Sequence, residues 1–156
     1  MTTIQVALDS NLLLLLVVGM TRRDYVAKHK RLGAFTAEDY DLLREELTVA
    51  EEILVTPNTL TETSNLIDHI GEPIRAEIYA TLRALLRLPT AKEAYVASVA
   101  AAERAELPRL GLTDCALLEL CSSGTPLMTV DLRLFLAAVA KGAKAVNFNH
   151  IRDQRW

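Results

Sequence analysis

The chain has 156 residues, of which 51% are hydrophobic, and a formal net charge of −3 at pH 7. This apolar content excludes a disordered chain, and the small negative charge excludes a general electrostatic attraction to nucleic acid. The length is typical of one domain with a sizeable core, so we expect a single domain over residues 1–156.

The cysteines and the first apolar run bear on the compartment. Cys115 and Cys121 lack the spacing of metal ligands and are typical of buried apolar residues in a reducing compartment. The apolar run from Leu12 to Val18 is too short to cross a bilayer. It follows Asp9 rather than a basic segment, and no small-residue cleavage site comes after it, so a signal peptide is not expected. We therefore expect a cytoplasmic protein with no membrane partner.

Short β-prone runs alternate with helical patterns along the chain. Strands are predicted near residues 4–8, 53–55, 127–130 and 145–148. Helices are predicted to begin at Thr36, a capping residue followed by acids, and at Thr56, a capping residue followed by proline. The alternation predicts an α/β fold in which a short parallel sheet has helices on both faces.

The middle of the chain is predicted to be helical without an intervening strand. One helix begins at Pro73, and a second, alanine-rich helix runs from Thr90 to about Leu107, opened by the capping-box spacing of Thr90 and Glu93. Two consecutive helices predict an antiparallel hairpin, Pro73 to Leu107, that protrudes from the sheet and forms part of a homodimer face. The polar tail from Arg152 to Trp156 is predicted to be loosely held.

Residues 21–31 form the most basic stretch of the chain. This stretch is either a solvated linker or short helix, or an edge that contacts the phosphates of a nucleic acid. On the second interpretation, the candidates for backbone contacts are Arg22, Arg23, Lys28, Lys30 and Arg31. The three histidines have neither ligand nor triad spacing and are interpreted as surface or structural residues: His29, His69 and His150.

Acidic residues recur where predicted strands end and helices begin. Asp9 follows the first of these strands, Asp131 follows the third, and Asp114 lies after a glycine-containing loop that leads into a helix from Cys115 to Ser122. Each could cap or stabilise a helix start, but the carboxyl ends of parallel strands are also where ligand sites form. Glu62 lies about six residues into its helix, too far from the start to act as a cap.

Four acids at one sheet edge would repel one another. A divalent cation such as Mg²⁺, which prefers carboxylate oxygens, offsets this repulsion. Without a cation, such a cluster holds protons and its pKa values rise.

At this point the sequence resembles the PIN-domain family of metal-dependent ribonucleases, which includes VapC-like toxins. The resemblance rests on four segments whose order and spacing match along nearly the whole chain to about Asn149: residues 8–13 (LDSNLL), 56–62 (TPNTLTE), 112–116 (LTDCA) and 128–131 (MTVD). The segment from Gly19 to Thr36 is longer than in the most compact members, so the likeness to the toxins is weaker than the likeness to the fold.

The resemblance implies a three-layer α/β/α fold and a metal-dependent endoribonuclease. By this likeness Asp9, Glu62, Asp114 and Asp131 are the catalytic acids and bind Mg²⁺ or Mn²⁺. Asn11 would support Asp9, and Thr129 would line the site. RNA is the implied substrate, and an antitoxin protein is the implied partner if the chain is a toxin. The alternative is a catalytically silent scaffold that keeps this fold and binds a partner.

Other enzyme classes fit the sequence less well. The chain has neither the glycine-rich phosphate-binding loop of nucleotide hydrolases nor the dinucleotide-binding glycine pattern. A haloacid-dehalogenase-like phosphatase requires a second Asp at the position of Asn11. A response-regulator receiver requires an acid pair before the first helix, where this chain has the single Asp9.

Overall fold

The computed structural model describes residues 3–155. Within them, the strands are β1 (Gln5–Leu8), β2 (Glu52–Val55), β3 (Ala91–Glu93), β4 (Leu127–Thr129) and β5 (Ala145–Asn147). The α-helices are α1 (Ser10–Thr21), α2 (Ala37–Leu47), α3 (Pro57–Ile67), α4 (Ile74–Leu86), α5 (Ser98–Ala102), α6 (Leu107–Leu110), α7 (Leu112–Ser122), α8 (Leu132–Ala140) and α9 (Phe148–Arg155). Two short 3-10 helices, Arg23–Lys28 and Lys30–Leu32, link α1 to α2.

The strands form one parallel sheet in the order β3-β2-β1-β4-β5, which confirms the α/β class. The chain leaves β1 toward β2 on one side and later adds β4 on the other side. The order of the sheet therefore reverses between β1 and β4. In open parallel sheets, the crevice at such a reversal is the usual place for a ligand.

Alternate residues of each central strand enter two separate hydrophobic clusters. Leu8, Val55 and Met128 join a cluster built largely from α1, α2 and α4. Their neighbours Ala7, Leu54 and Leu127 join a second cluster with residues of α7 and α8. Because side chains alternate between the two faces of a strand, the sheet has helices packed on both of its faces.

The close packing of α1 against α2 depends on a glycine. Residues 12 to 19 of α1 are all buried, and Gly19 lies against the ring of Tyr40 in α2. A Cβ at position 19 would lie 2.1 Å from Cδ1 of Tyr40. Only a residue without a side chain fits this contact.

The predicted helical hairpin from Pro73 to Leu107 is wrong. Helix α4 forms as predicted and lies against α1, where Thr21 Oγ1 donates to Thr81 Oγ1 at 2.7 Å. The chain after α4 instead adds β3 to the edge of the sheet, with Ala91, Lys92 and Glu93 in register with residues 53–55 of β2. Pairing the open edge of β2 satisfies its backbone groups, and this long-range gain outweighs the local capping-box preference.

The prediction of a loosely held tail is also wrong for the described residues. Residues 148–155 form α9, and Trp156 lies outside the described part of the chain. Arg152 donates to Asp39 Oδ1 at 3.2 Å and to the carbonyl of Ala34 at 2.7 Å. These contacts fix α9 against the start of α2.

Most predicted helix starts are confirmed. Thr36 and Asp39 form a capping box at α2, and Thr56 caps α3 with Pro57 in the first turn.

Among the described residues, no helix has both the length and the apolarity that crossing a bilayer requires.

Candidate active site

A cleft of about 210 Å³ lies at the carboxyl ends of β1 and β4. All four acids predicted as site residues line it: Asp9, Glu62, Asp114 and Asp131. Each comes from a different element, namely the end of β1, the middle of α3, the first turn of α7 and the start of α8. The structure thus brings together side chains that are up to 122 residues apart in the sequence.

Asp9 is held by hydrogen bonds from two directions. Its Oδ1 accepts from the backbone N–H of Leu12 at 2.8 Å, so Asp9 itself is the cap of α1. Its Oδ2 accepts from the N–H of Val130 at 2.9 Å and from Oγ1 of Thr129. Asp9 therefore both caps α1 and lines the cleft.

Thr129 connects two of the acids from below. Its hydroxyl donates to Asp9 and accepts from the backbone N–H of Asp131 at 3.0 Å. The side chain is fully buried, so Thr129 supports the cleft from within the protein. It does not line the cleft, contrary to the prediction. Asn11 does line the cleft, but it is exposed and makes no hydrogen bond to Asp9. The support expected from Asn11 comes from Thr129 instead.

Asp131 is likewise a helix cap and a cleft residue. Its Oδ1 accepts from the backbone N–H groups of Arg133 at 2.9 Å and Leu134 at 3.2 Å, at the start of α8. One oxygen of this carboxylate thus caps α8, and the same side chain lines the cleft.

Asp114 reaches the cleft from the first turn of α7, a helix that begins earlier than we predicted. The helix starts at Leu112 rather than Cys115, after Gly111 with a φ of 85°. That backbone conformation strongly favours glycine. It turns the chain sharply between α6 and α7 and places Asp114 in the first turn of α7, partly buried beside the other acids.

Burial and mutual repulsion raise the pKa values of two of the acids. The pKa of Asp114 rises from 3.8 to about 7, first because of burial and then because of the charges of Asp131, Glu62 and Asp9. Burial also raises the pKa of Asp9, although the hydrogen bonds from Thr129, Leu12 and Val130 oppose this. The carboxyl of Asp114 is therefore partly protonated near neutral pH, as expected for an acid in a cluster without a counter-ion.

Two features of the cleft were not identified from the sequence. Ser10 lines it with a buried Oγ that has no hydrogen-bond partner among the described residues. Arg133 lowers the pKa of Asp114 and donates to the carbonyl of Arg109 at 3.0 Å, tying α8 to α6 beside the cleft. No local pattern marks either residue, because each role depends on what the fold places opposite it.

The basic stretch lies away from the cleft. It follows the carboxyl end of α1, whereas Asp9 is at the amino end, and a helix of this length spans about 18 Å. Arg23 also pairs with Asp41 at 2.8 Å and with Glu38 at 3.5 Å. His29 is buried, and its Nδ1 accepts from the N–H of Arg31, which agrees with a structural role.

Comparison of the chain with protein-family models, with curated proteins and with solved structures finds no match in any of the three.

Proposed function

We propose that this protein has a PIN-like fold and is a metal-dependent endoribonuclease that hydrolyses RNA phosphodiester bonds. The observation that carries the proposal is the convergence of Asp9, Glu62, Asp114 and Asp131, from four separate elements, on one cleft where the order of the parallel sheet reverses. Helix capping explains Asp9 and Asp131 in part. It explains neither Glu62, in the middle of α3, nor the raised pKa of Asp114.

The chemistry of the cleft fits Mg²⁺ or Mn²⁺. Its acidic side chains offer carboxylate oxygens, the donors that these hard cations prefer, and their mutual repulsion falls when a cation binds. The unpartnered hydroxyl of Ser10 adds a buried oxygen in need of a hydrogen bond at the same place. The residues that would hold the ion are the four acids.

The protein's own groups would fix the geometry of the reaction. A bound Mg²⁺ or Mn²⁺ supplies a Lewis acid that polarises a phosphate and lowers the pKa of water. Thr129 and the N–H groups of Leu12 and Val130 hold Asp9 in one orientation. The raised pKa of Asp114 belongs to the cleft without a cation, and a bound cation would favour the ionised carboxylate as a ligand.

The experiment is cleavage of mixed RNA in the presence of Mg²⁺ or Mn²⁺, with EDTA as the blank. We expect Asp9→Asn and Asp114→Asn to lower the rate at least about 100-fold, because each removes an anionic oxygen from the proposed site. The exposed residue Asp153 provides a matched control, Asp153→Asn, which should leave the rate unchanged. Equal residual cleavage by wild type and both cleft variants would show that the activity comes from a contaminant.

The second candidate function is a scaffold of the same fold that binds a partner without catalysis. One observation favours it: among residues 3–155, no three His, Cys, Asp or Glu side chains stand in an arrangement that holds an ion. On our proposal, cation binding draws the acids together. Calorimetric titration with Mn²⁺ separates the two functions, since only the nuclease requires binding that Asp114→Asn weakens.

The proposed partners follow from the same interpretation. The substrate is RNA, and the chain is either a toxin held by an antitoxin protein or a housekeeping nuclease. We also propose a homodimer, because the segment from the end of α4 to α5 exposes large apolar side chains at Leu86, Leu88, Tyr95 and Val99. Two free, buried cysteines are consistent with our placing the protein in the cytoplasm.

A further inference from the structure

A second groove, of about 380 Å³, opens beside the acidic cleft. It lies between α3 and the first turn of α7. Glu62, Leu112 and Thr113 line both spaces, so the groove and the cleft are continuous. The groove therefore directly borders the cleft in which the proposed cleavage would take place.

One wall of the groove is a row of uncharged polar side chains on α3. Asn58, Thr61 and Asn65 line it, at spacings of three and four residues that place them on one face of the helix. The buried residues of the same helix are Thr59, Thr63 and Ile67. The α3 helix therefore packs into the protein on one side and presents amides and a hydroxyl to the groove on the other.

The other surfaces of the groove are apolar. Pro57 borders it at the start of α3, and Leu112 borders it from α7 with 38% of its surface exposed. An exposed leucine is unremarkable alone, but here it lies across from a row of amides. This combination suits a flat heterocycle, whose faces are apolar and whose edge carries donors and acceptors.

The charges of the groove argue against a phosphate as its occupant. Glu62 is its one charged lining residue, and no Lys or Arg lines it within the described part of the chain. A phosphate is normally bound by cations or by charge-assisted hydrogen bonds. An asparagine amide instead offers both donors and an acceptor, which is what the edge of a nucleobase requires.

From this arrangement we propose that the groove binds one unpaired nucleobase of the RNA, next to the phosphodiester that is cleaved. The inference rests on the proposed nuclease function and adds a recognition groove to it, which would select a preferred base at one position beside the cleaved bond. The base must be unpaired because pairing in a duplex occupies the edge that the amides of Asn58 and Asn65 contact.

The test maps cleavage sites on a random-sequence, single-stranded RNA pool in Mn²⁺. Wild-type protein should favour particular bases at one position beside the cut by about tenfold, the effect of losing a good amide contact to a base edge. The double variant Asn58→Ala/Asn65→Ala should reduce that preference to less than about twofold. Its remaining cleavage should still require Mn²⁺ and Asp114, because the four acids are intact.

The matched control is Gln154→Ala, which removes an exposed amide on α9 outside the groove. It should keep the wild-type base preference. Thermal melting should give the same transition for all three proteins, since the altered side chains are not buried.

The outcomes distinguish the groove from the nuclease. Cleavage that depends on Asp114 but keeps its base preference in the double variant overturns the proposal that the groove binds a base. It leaves the proposed nuclease function standing. Equal rates on a duplex and on its separated strands also overturn the groove. Absence of any cleavage that depends on Asp114 overturns the proposed function, and the inference falls with it.

Discussion

The substitution Asp114→Asn should stabilise the protein in the absence of divalent cations, and more so as the pH rises. Folding raises the pKa of Asp114 from 3.8 to about 7, so the folded state binds this proton more tightly than the unfolded state. Ionisation of this carboxyl therefore lowers the free energy of unfolding. Its unfavourable effect is absent below pH 3.8 and grows until the pH passes about 7.

The size of the effect follows from the pKa. A rise of roughly three pKa units, at about 1.4 kcal/mol each, sets a ceiling of about 4 kcal/mol. Because the carboxyl is partly open to solvent, we expect about half of that, or about 2 kcal/mol at pH 8, and less than half of this value at pH 5. Asparagine has nearly the same shape and no charge, so the free energy of unfolding of the variant should be higher by this amount.

Urea unfolding at pH 5 and pH 8 in EDTA measures the difference, provided that the m-values of the two proteins agree. The surface substitution Asp153→Asn is the control. Its difference from wild type in the free energy of unfolding should not grow with pH. Adding Mg²⁺ should remove the advantage of Asp114→Asn, because a cation would stabilise the wild-type cleft. A variant that is destabilised at both pH values would refute the idea that repulsion and burial of this carboxyl oppose folding.

Substitutions at three further positions test the surroundings of the cleft and the core. Ser10→Ala should raise the free energy of unfolding by about 1 kcal/mol, because it removes a buried hydroxyl without a partner; a decrease in urea unfolding would mean that the hydroxyl is bonded. Thr129→Val should lower it by about 2 kcal/mol, since Asp9 loses a donor, whereas Thr129→Ser should recover most of this stability. Gly19→Ala should lower it by about 3 kcal/mol, as the new Cβ meets the ring of Tyr40; a melting temperature equal to wild type would contradict the packing described for α1 and α2.

The parts of the fold that could be predicted from sequence are those that depend on local sequence patterns. The starts of α2 and α3 were predictable because Thr36 and Thr56 bond to N–H groups three residues away. Four of the strands were predictable because their apolar runs are short and end at polar residues. Strand β3 was missed because Ala91, Lys92 and Glu93 have little strand preference and pair only because β2 has a free edge.

The same division applies to the candidate site. The four acids and their order could be predicted from the amino-acid sequence, since an acid after a buried strand and an acid in mid-helix are visible without a structure. The tertiary structure brings these acids into one cleft, because residues as distant as Asp9 and Asp131 meet through the pairing of β1 with β4. It also decided which oxygens serve as caps and that Thr129 lies beneath the acids. Burial and charge act through space, and for this reason the raised pKa of Asp114 could not be read from its neighbours in the chain.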